Sequence, residues 1–240
     1  MPGSDIARDR SFSRPQLIDE RVGGFLRSVY GWMATGLAIT AATAWFIAAS
    51  PALVSAIVVN RPIFWVLVIA QLAIVWVLSA RVQQLAASTA SLLFVLYSGL
   101  TGVTMSFVLL VFTGESVSTT FLVTAGMFGA LAFYGTVTPR SLAGLGQFLF
   151  MGLVGIVFAS LVGIFWHSDA LQFVISFVGV IVFTGLAAYD AQRLKEMALS
   201  MPSGPDGVAG GYAIAGALAL YLDFINLFLF LLRFLGSRRD

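Results

Sequence analysis

Apolar runs long enough to cross a membrane recur along this chain, each closed by a short polar break. They fall at about Leu26–Ala49, Ile63–Ala80, Ala86–Phe112, Ser118–Val137, Gly144–Trp166, Leu171–Tyr189 and Ala213–Gly236. About 20 apolar residues in a helix span about 30 Å of hydrocarbon, and these runs are of that order. None alternates with period two, as a barrel strand would, so each predicts an α-helix whose backbone bonds close within itself. The breaks carry turn and cap residues: Ser50-Pro51, Asn60-Arg61-Pro62, Thr113-Gly114-Glu115, Thr138-Pro139-Arg140 and the stretch from Met201 to Gly207. Trp45, Trp65, Trp166 and Tyr189 stand near segment ends, where interfacial aromatics collect. The pattern predicts an all-α polytopic membrane protein.

Composition agrees. Of 240 residues, 59% are hydrophobic and 10% charged, against roughly 25% charged in soluble domains. The mean hydropathy is +0.97. With no cysteine, disulfides, thiolate catalysis and cysteine metal sites are excluded. Abundant Ala, Gly and Arg suggest a bacterial source. Residues 1–24 are polar and lack the apolar core of a signal peptide. They are expected to form a disordered cytoplasmic tail, with residues 25–240 as one membrane domain.

Charge fixes the expected orientation. With the N-terminus inside, Arg8, Arg10, Arg14, Arg21, Arg27, Arg81, Arg140, Arg193 and Lys195 are all cytoplasmic, and Arg61 alone faces out before the last segment. Glu115, His167 and Asp169 fall on the outer side. The last segment breaks the rule, because a full crossing puts Arg233, Arg238 and Arg239 outside. It either re-enters or crosses against its charges; crossing is favoured, since six earlier segments have already set the topology.

Small residues four apart, Gly31 and Thr35, Gly36 and Thr40, Gly126 and Ala130, predict close helix packing. The third segment has a polar stretch from Ser98 to Ser106. Such a stretch either lines a wet cavity or packs with its hydroxyls bonded back to the backbone.

The chemistry rests on a few charges. An ionised carboxylate in hydrocarbon costs at least about 2.5–3.5 kcal/mol. Asp223 sits deep in the last apolar run, so it needs a partner, a proton or water. Asn226 and Arg233, three and ten residues on, share its side of a helix. They form a polar stripe facing a bundle interior. Asp190 closes the sixth segment, where a solvated helix end beside Arg193 and Lys195 is the plain reading. At 1.5 Å per residue the two acids differ in depth by about 8 Å before side-chain reach and tilt, so contact is allowed but not forced. Arg81, at the end of the second segment, is a counter-ion at similar depth or an ordinary topology charge.

Two stretches point further. Leu220-Tyr221-Leu222-Asp223-Phe224-Ile225-Asn226-Leu227-Phe228, continued by Leu231-Leu232-Arg233-Phe234-Leu235-Gly236, strongly resembles the signature of the Bax inhibitor-1 family. So does Tyr189-Asp190-Ala191-Gln192-Arg193, and residues Phe133 to Leu142 look like bacterial members. The resemblance covers the chain from about residue 25. It implies six helices around a central seventh, and a pH-sensitive calcium leak with two aspartates as sensor. Those map to Asp190 and Asp223, and the family's arginine latch maps by position to Arg81. The acid that some members carry in the second segment is missing here, where Gln71 stands, so a calcium site that uses it is not carried over. Asp190 and Asp223 are then the calcium ligands expected, with calcium a permeant ion and no cofactor tightly bound.

Physics agrees with that reading. Calcium takes carboxylate, carbonyl and water oxygens. Two close carboxylates in a low dielectric are expected to share a proton and titrate as a unit.

Two rivals stand beside it. An intramembrane aspartyl protease would need Gly-x-Gly-Asp, and Leu220-Tyr221-Leu222 precedes Asp223 instead. The one histidine, His167, falls in a loop, so no enzyme is expected. The other rival is a regulator that binds a membrane-anchored protease or other partner proteins through its tail, its aspartates serving as structural glue. Partners are therefore the bilayer, calcium and such a protein, and not nucleic acid; the membrane is expected to be the bacterial cytoplasmic (inner) one.

Overall fold

In the computed structural model, residues 14–58, 60–81, 84–166, 168–201 and 206–239 are described. The helices are α1 (Arg14–Ala48), a three-residue α2 (Pro51–Leu53) running into a π-helical turn (Val54–Val58), α3 (Arg61–Ala80), α4 (Ala87–Val111), α5 (Gly114–Val137), α6 (Ala143–Phe165), α7 (Asp169–Ser200) and α8 (Asp206–Leu235). Seven of them, all but α2, are long and apolar enough to cross a membrane.

The breaks read from the sequence are the caps. Asn60 opens α3 by accepting from the Ile63 N–H, Thr113 opens α5 by accepting from Ser116, and Ser168 opens α7 by accepting from Leu171. Each supplies one of the first-turn donors with an acceptor that the helix cannot. Pro51 and Pro62 fall in first turns, where a missing N–H costs nothing.

Two helices run past their expected ends. α1 begins at Arg14, so residues 14–24 are helical rather than a disordered tail. Pro15 stands in its first turn, and Arg21 donates to the Met201 carbonyl at 2.7 Å, tying this extension to the end of α7. Residues 1–13 lie outside the described residues. α7 continues to Ser200, so Asp190 stands ten residues inside a helix and is not a helix terminus.

α8 is the axis. Its apolar window is 61% buried, against 6% for α3, and it packs on α1, α4, α5 and α7. Ala217, Leu220, Tyr221 and Leu227 are fully buried. α6 packs on α7, and α3 mainly on α4.

The last segment crosses completely. Gly210 lies against Ala87 at the start of α4. Beyond α8, Ser237 and Arg239 pair with Thr113 and Val111 at the end of α4. α8 thus runs the full length of α4 and parallel to it, and a re-entrant course is ruled out.

Close approach is paid for by glycine, though at fewer of the expected places. Gly36 fits under Phe94 and Ser98 of α4, and Thr40 on the same stripe donates to the Ser98 carbonyl at 2.9 Å. Gly31 and Gly126 face open space, so two of the three predicted packing pairs lie on outer faces. Spacing alone shows that residues share a side, not which side meets a neighbour. The polar stretch of α4 packs: Ser98, Thr104 and Ser106 donate back to the carbonyls of Phe94, Thr101 and Val103.

Candidate functional site

α7 and α8 bring the two aspartates together. Phe230 of α8 lies over Gly179 of α7, where any side chain would hold the helices apart. On the other flank α5 presses on α7, Gly135 lying against the Ala188 carbonyl. α7 is therefore clamped just before Asp190. Asp190 and Asp223 are neighbours across the α7–α8 contact, close enough to interact electrostatically.

Both carboxyl groups line one cavity of about 500 Å³ between α6, α7 and α8. Its polar lining also includes Gln147, Tyr189, Arg193 and Asn226; Phe150, Phe183 and Leu186 supply apolar wall. Asp223 is 5% exposed, and its Oδ2 is buried with no hydrogen-bond partner. An unpaired carboxylate oxygen in such a place is costly, so the site calls for a proton or a cation. Asp190 is half-buried nearer the rim. Among the described residues no group of three or more His, Cys, Asp or Glu side chains converges.

The other expected residues separate. Asn226 lines the cavity, its Nδ2 donating back to the Leu222 carbonyl at 2.8 Å. Arg233 is exposed and lies off the cavity, so the predicted stripe ends at Asn226. Arg81 is exposed at the end of α3 and is not a lining residue. The cation at the cavity is Arg193, one turn after Asp190. Gln71, where the family resemblance implied an acid in some members, donates to Thr101 and Thr104 of α4 at 3.3 and 3.4 Å. His167 lies outside the described residues.

Two functional supports were not foreseen. Gln192 accepts from the Leu142 N–H at 2.7 Å and donates to the Arg140 carbonyl at 2.9 Å, clamping the α5–α6 turn. Lys195 donates to the Thr136 carbonyl at 2.6 Å near the end of α5. A neutral amide between Asp190 and Arg193 was the available signal. Tyr221, on the far side of α8, shares a hydrogen with Thr40 of α1.

The bundle and its site define a seven-helix integral membrane protein with two acids lining one cavity beside a central C-terminal helix. The family model described as inhibitor of apoptosis-promoting Bax1 matches residues 22–240. The chain is 48% identical over 233 residues to inner membrane protein YbhL of Escherichia coli K12, covering 96% of this chain and all of that one. It is 44% identical over 221 residues to an uncharacterized protein of Deinococcus radiodurans (92% and 93% covered) and 41% identical over 216 residues to one of Borreliella burgdorferi (90% and 93%). The chain belongs to the Bax inhibitor-1 family.

Proposed function

We propose that this protein is a pH-sensitive calcium leak of the bacterial cytoplasmic membrane, with its N-terminus in the cytoplasm, gated by Asp190 and Asp223 and without enzymatic activity. One observation carries the reading: two carboxyl groups face the same cavity, and one oxygen of Asp223 is buried and unpartnered. Carboxylates in reach of each other hold a proton between them more easily than two negative charges. Calcium offers the alternative neutralisation, completing its shell with carboxamide oxygens of Gln147 and Asn226 and with water. With two acids rather than three, the site suits brief occupancy, as a conduction path needs. Arg193 competes for the same oxygens and replaces Arg81 as the proposed counter-ion. The basic residues of the cytoplasmic loops support the orientation, and the name of the Escherichia coli relative supports the membrane.

The test is calcium entry into dye-loaded liposomes at two pH values. Asp223→Asn and Asp190→Asn keep hydrogen bonding but cannot titrate, so each should abolish the pH response. A response unchanged in both variants removes the sensor.

The family description, an inhibitor that acts on another protein, favours a second reading. In it the protein regulates a membrane-anchored protease or another partner, and the acid pair only holds α8 to α7. Partner co-purification that survives both asparagine variants, with no calcium flux in the parent, would select it.

A further inference from the structure

α1 and α5 each pack on α8 but leave a gap between themselves. Two cavities lie in it. One of about 400 Å³ is walled by Tyr30, Met33 and Phe128; the other, of about 510 Å³, by Trp45, Val117 and Phe121. Leu37 and Phe224 line both, so the two make one fissure with α8 as its floor. From Tyr30 to Trp45 it runs about 22 Å along α1. Met105, Val108 and Leu109 of α4 close the second cavity, and every wall is a helix long and apolar enough to span a membrane, so the fissure faces hydrocarbon.

Three of its four lining hydroxyls, all but that of Tyr30 at one end, are already committed. Thr40 donates to the Ser98 carbonyl or bonds Tyr221, Ser118 donates to Gly114 and Thr136 to Phe133. The wall therefore offers these groups to no polar ligand. The ends differ. Thr136 borders one end, and its carbonyl takes the Lys195 ammonium. Arg27, exposed, stands one turn before Tyr30 on the same stripe of α1. Two cations thus meet the apolar slot at one end. A helix about 10 Å across would displace about 1,700 Å³ over this length, more than the two cavities provide together.

We propose that this fissure holds one acyl chain of an anionic phospholipid, whose headgroup rests between Arg27 and Lys195. The charge asymmetry selects the lipid, and the volume of the slot selects a single chain.

Native mass spectrometry of the full chain, purified in detergent and supplied with phosphatidylglycerol or phosphatidylcholine, tests it. The parent should retain one phosphatidylglycerol per chain in preference to phosphatidylcholine. Gly129→Phe, where a side chain meets open space inside the fissure, should lose it; Ala34→Phe plugs the slot from the opposite wall if the first variant fails to fold. Gly155→Phe, on the outward face of α6 and equally unobstructed, should retain it. Arg27→Gln should cut the preference for the anionic lipid about fivefold, the scale of one basic side chain at an anionic surface. Lipid retained equally by both plugged variants overturns the proposal, as does equal retention of the two lipids by the parent. A dimer that the plugs split into monomers overturns it too, making a second copy the occupant.

Discussion

The Thr40 hydroxyl and the Tyr221 phenol lie 2.6 Å apart in the middle of the bundle, joining α1 to the central helix. Thr40 also reaches the Ser98 carbonyl, and the Tyr221 ring meets Phe94 and Tyr97 edge-on. Tyr221→Phe keeps the ring and removes one inter-helix bond. Hydrogen bonds between membrane helices average about 0.6 kcal/mol and reach about 1.7. The variant should lose that much stability in a denaturant titration in detergent, with the fold intact.

Gly135→Ala should be far worse than its chemistry suggests. A Cβ there collides with the Ala188 carbonyl, and a backbone cannot swing aside as a side chain would. α5 and α7 must part, which moves Asp190. Gly126→Ala, nine residues earlier and facing open space, should be neutral or gain up to about 1 kcal/mol from helix propensity. A melting comparison of the pair in one detergent decides the matter; equal melting temperatures would show that the α5–α7 contact is loose.

Gln192→Ala removes both bonds of the clamp and leaves the Leu142 N–H and Arg140 carbonyl without their partner. The Leu142 N–H is buried, and orphaning it costs about 1–3 kcal/mol. Gln192→Glu still accepts from Leu142 but sets a buried carboxylate oxygen against the Arg140 carbonyl, so its loss should be at least as large as that of Gln192→Ala. Limited proteolysis at the α5–α6 turn reports the loosening directly.

Arg193→Gln should raise calcium flux in the liposome assay, because the cation beside the acid pair is gone. The side chain is exposed, so screening limits the effect to about 0.2–1 kcal/mol, or about 1.5- to 5-fold. Arg81→Gln should leave flux unchanged, since Arg81 lies off the cavity. The reverse ranking would restore the latch that the family resemblance implies for Arg81.

Hydropathy located all seven crossing helices, because the bilayer imposes a length that every span must meet. Their ends were less legible. Helix α7 continues for eleven residues past Tyr189, where apolarity stops but nothing breaks the helix before Met201. In the same way α1 reaches back to Arg14 through polar residues, held by Arg21. Hydropathy reports where lipid ends, not where the backbone does.

The acid at position 223 announced itself, being a charge with no apolar excuse. Its meeting with Asp190 needed the rotation of two helices about their axes, which no one-dimensional pattern contains. For the same reason Gly36 could not be told from Gly31, and Arg193 displaced Arg81 at the cavity. Gln192 was hidden by being neutral: nothing in its cost demanded a partner, though it found two.

The buried axis of this bundle also follows, in chain order, all the helices that surround it. Six helices must enter the membrane before α8 exists, so during synthesis the ring stands without its hub and the surfaces that will grip Tyr221 and Leu227 face lipid or each other. A premature stop near residue 205 would therefore remove the centre of the molecule rather than trim its edge. The pairing of Ser237 and Arg239 with the α4–α5 turn would follow the docking of α8, since both residues lie just beyond its end.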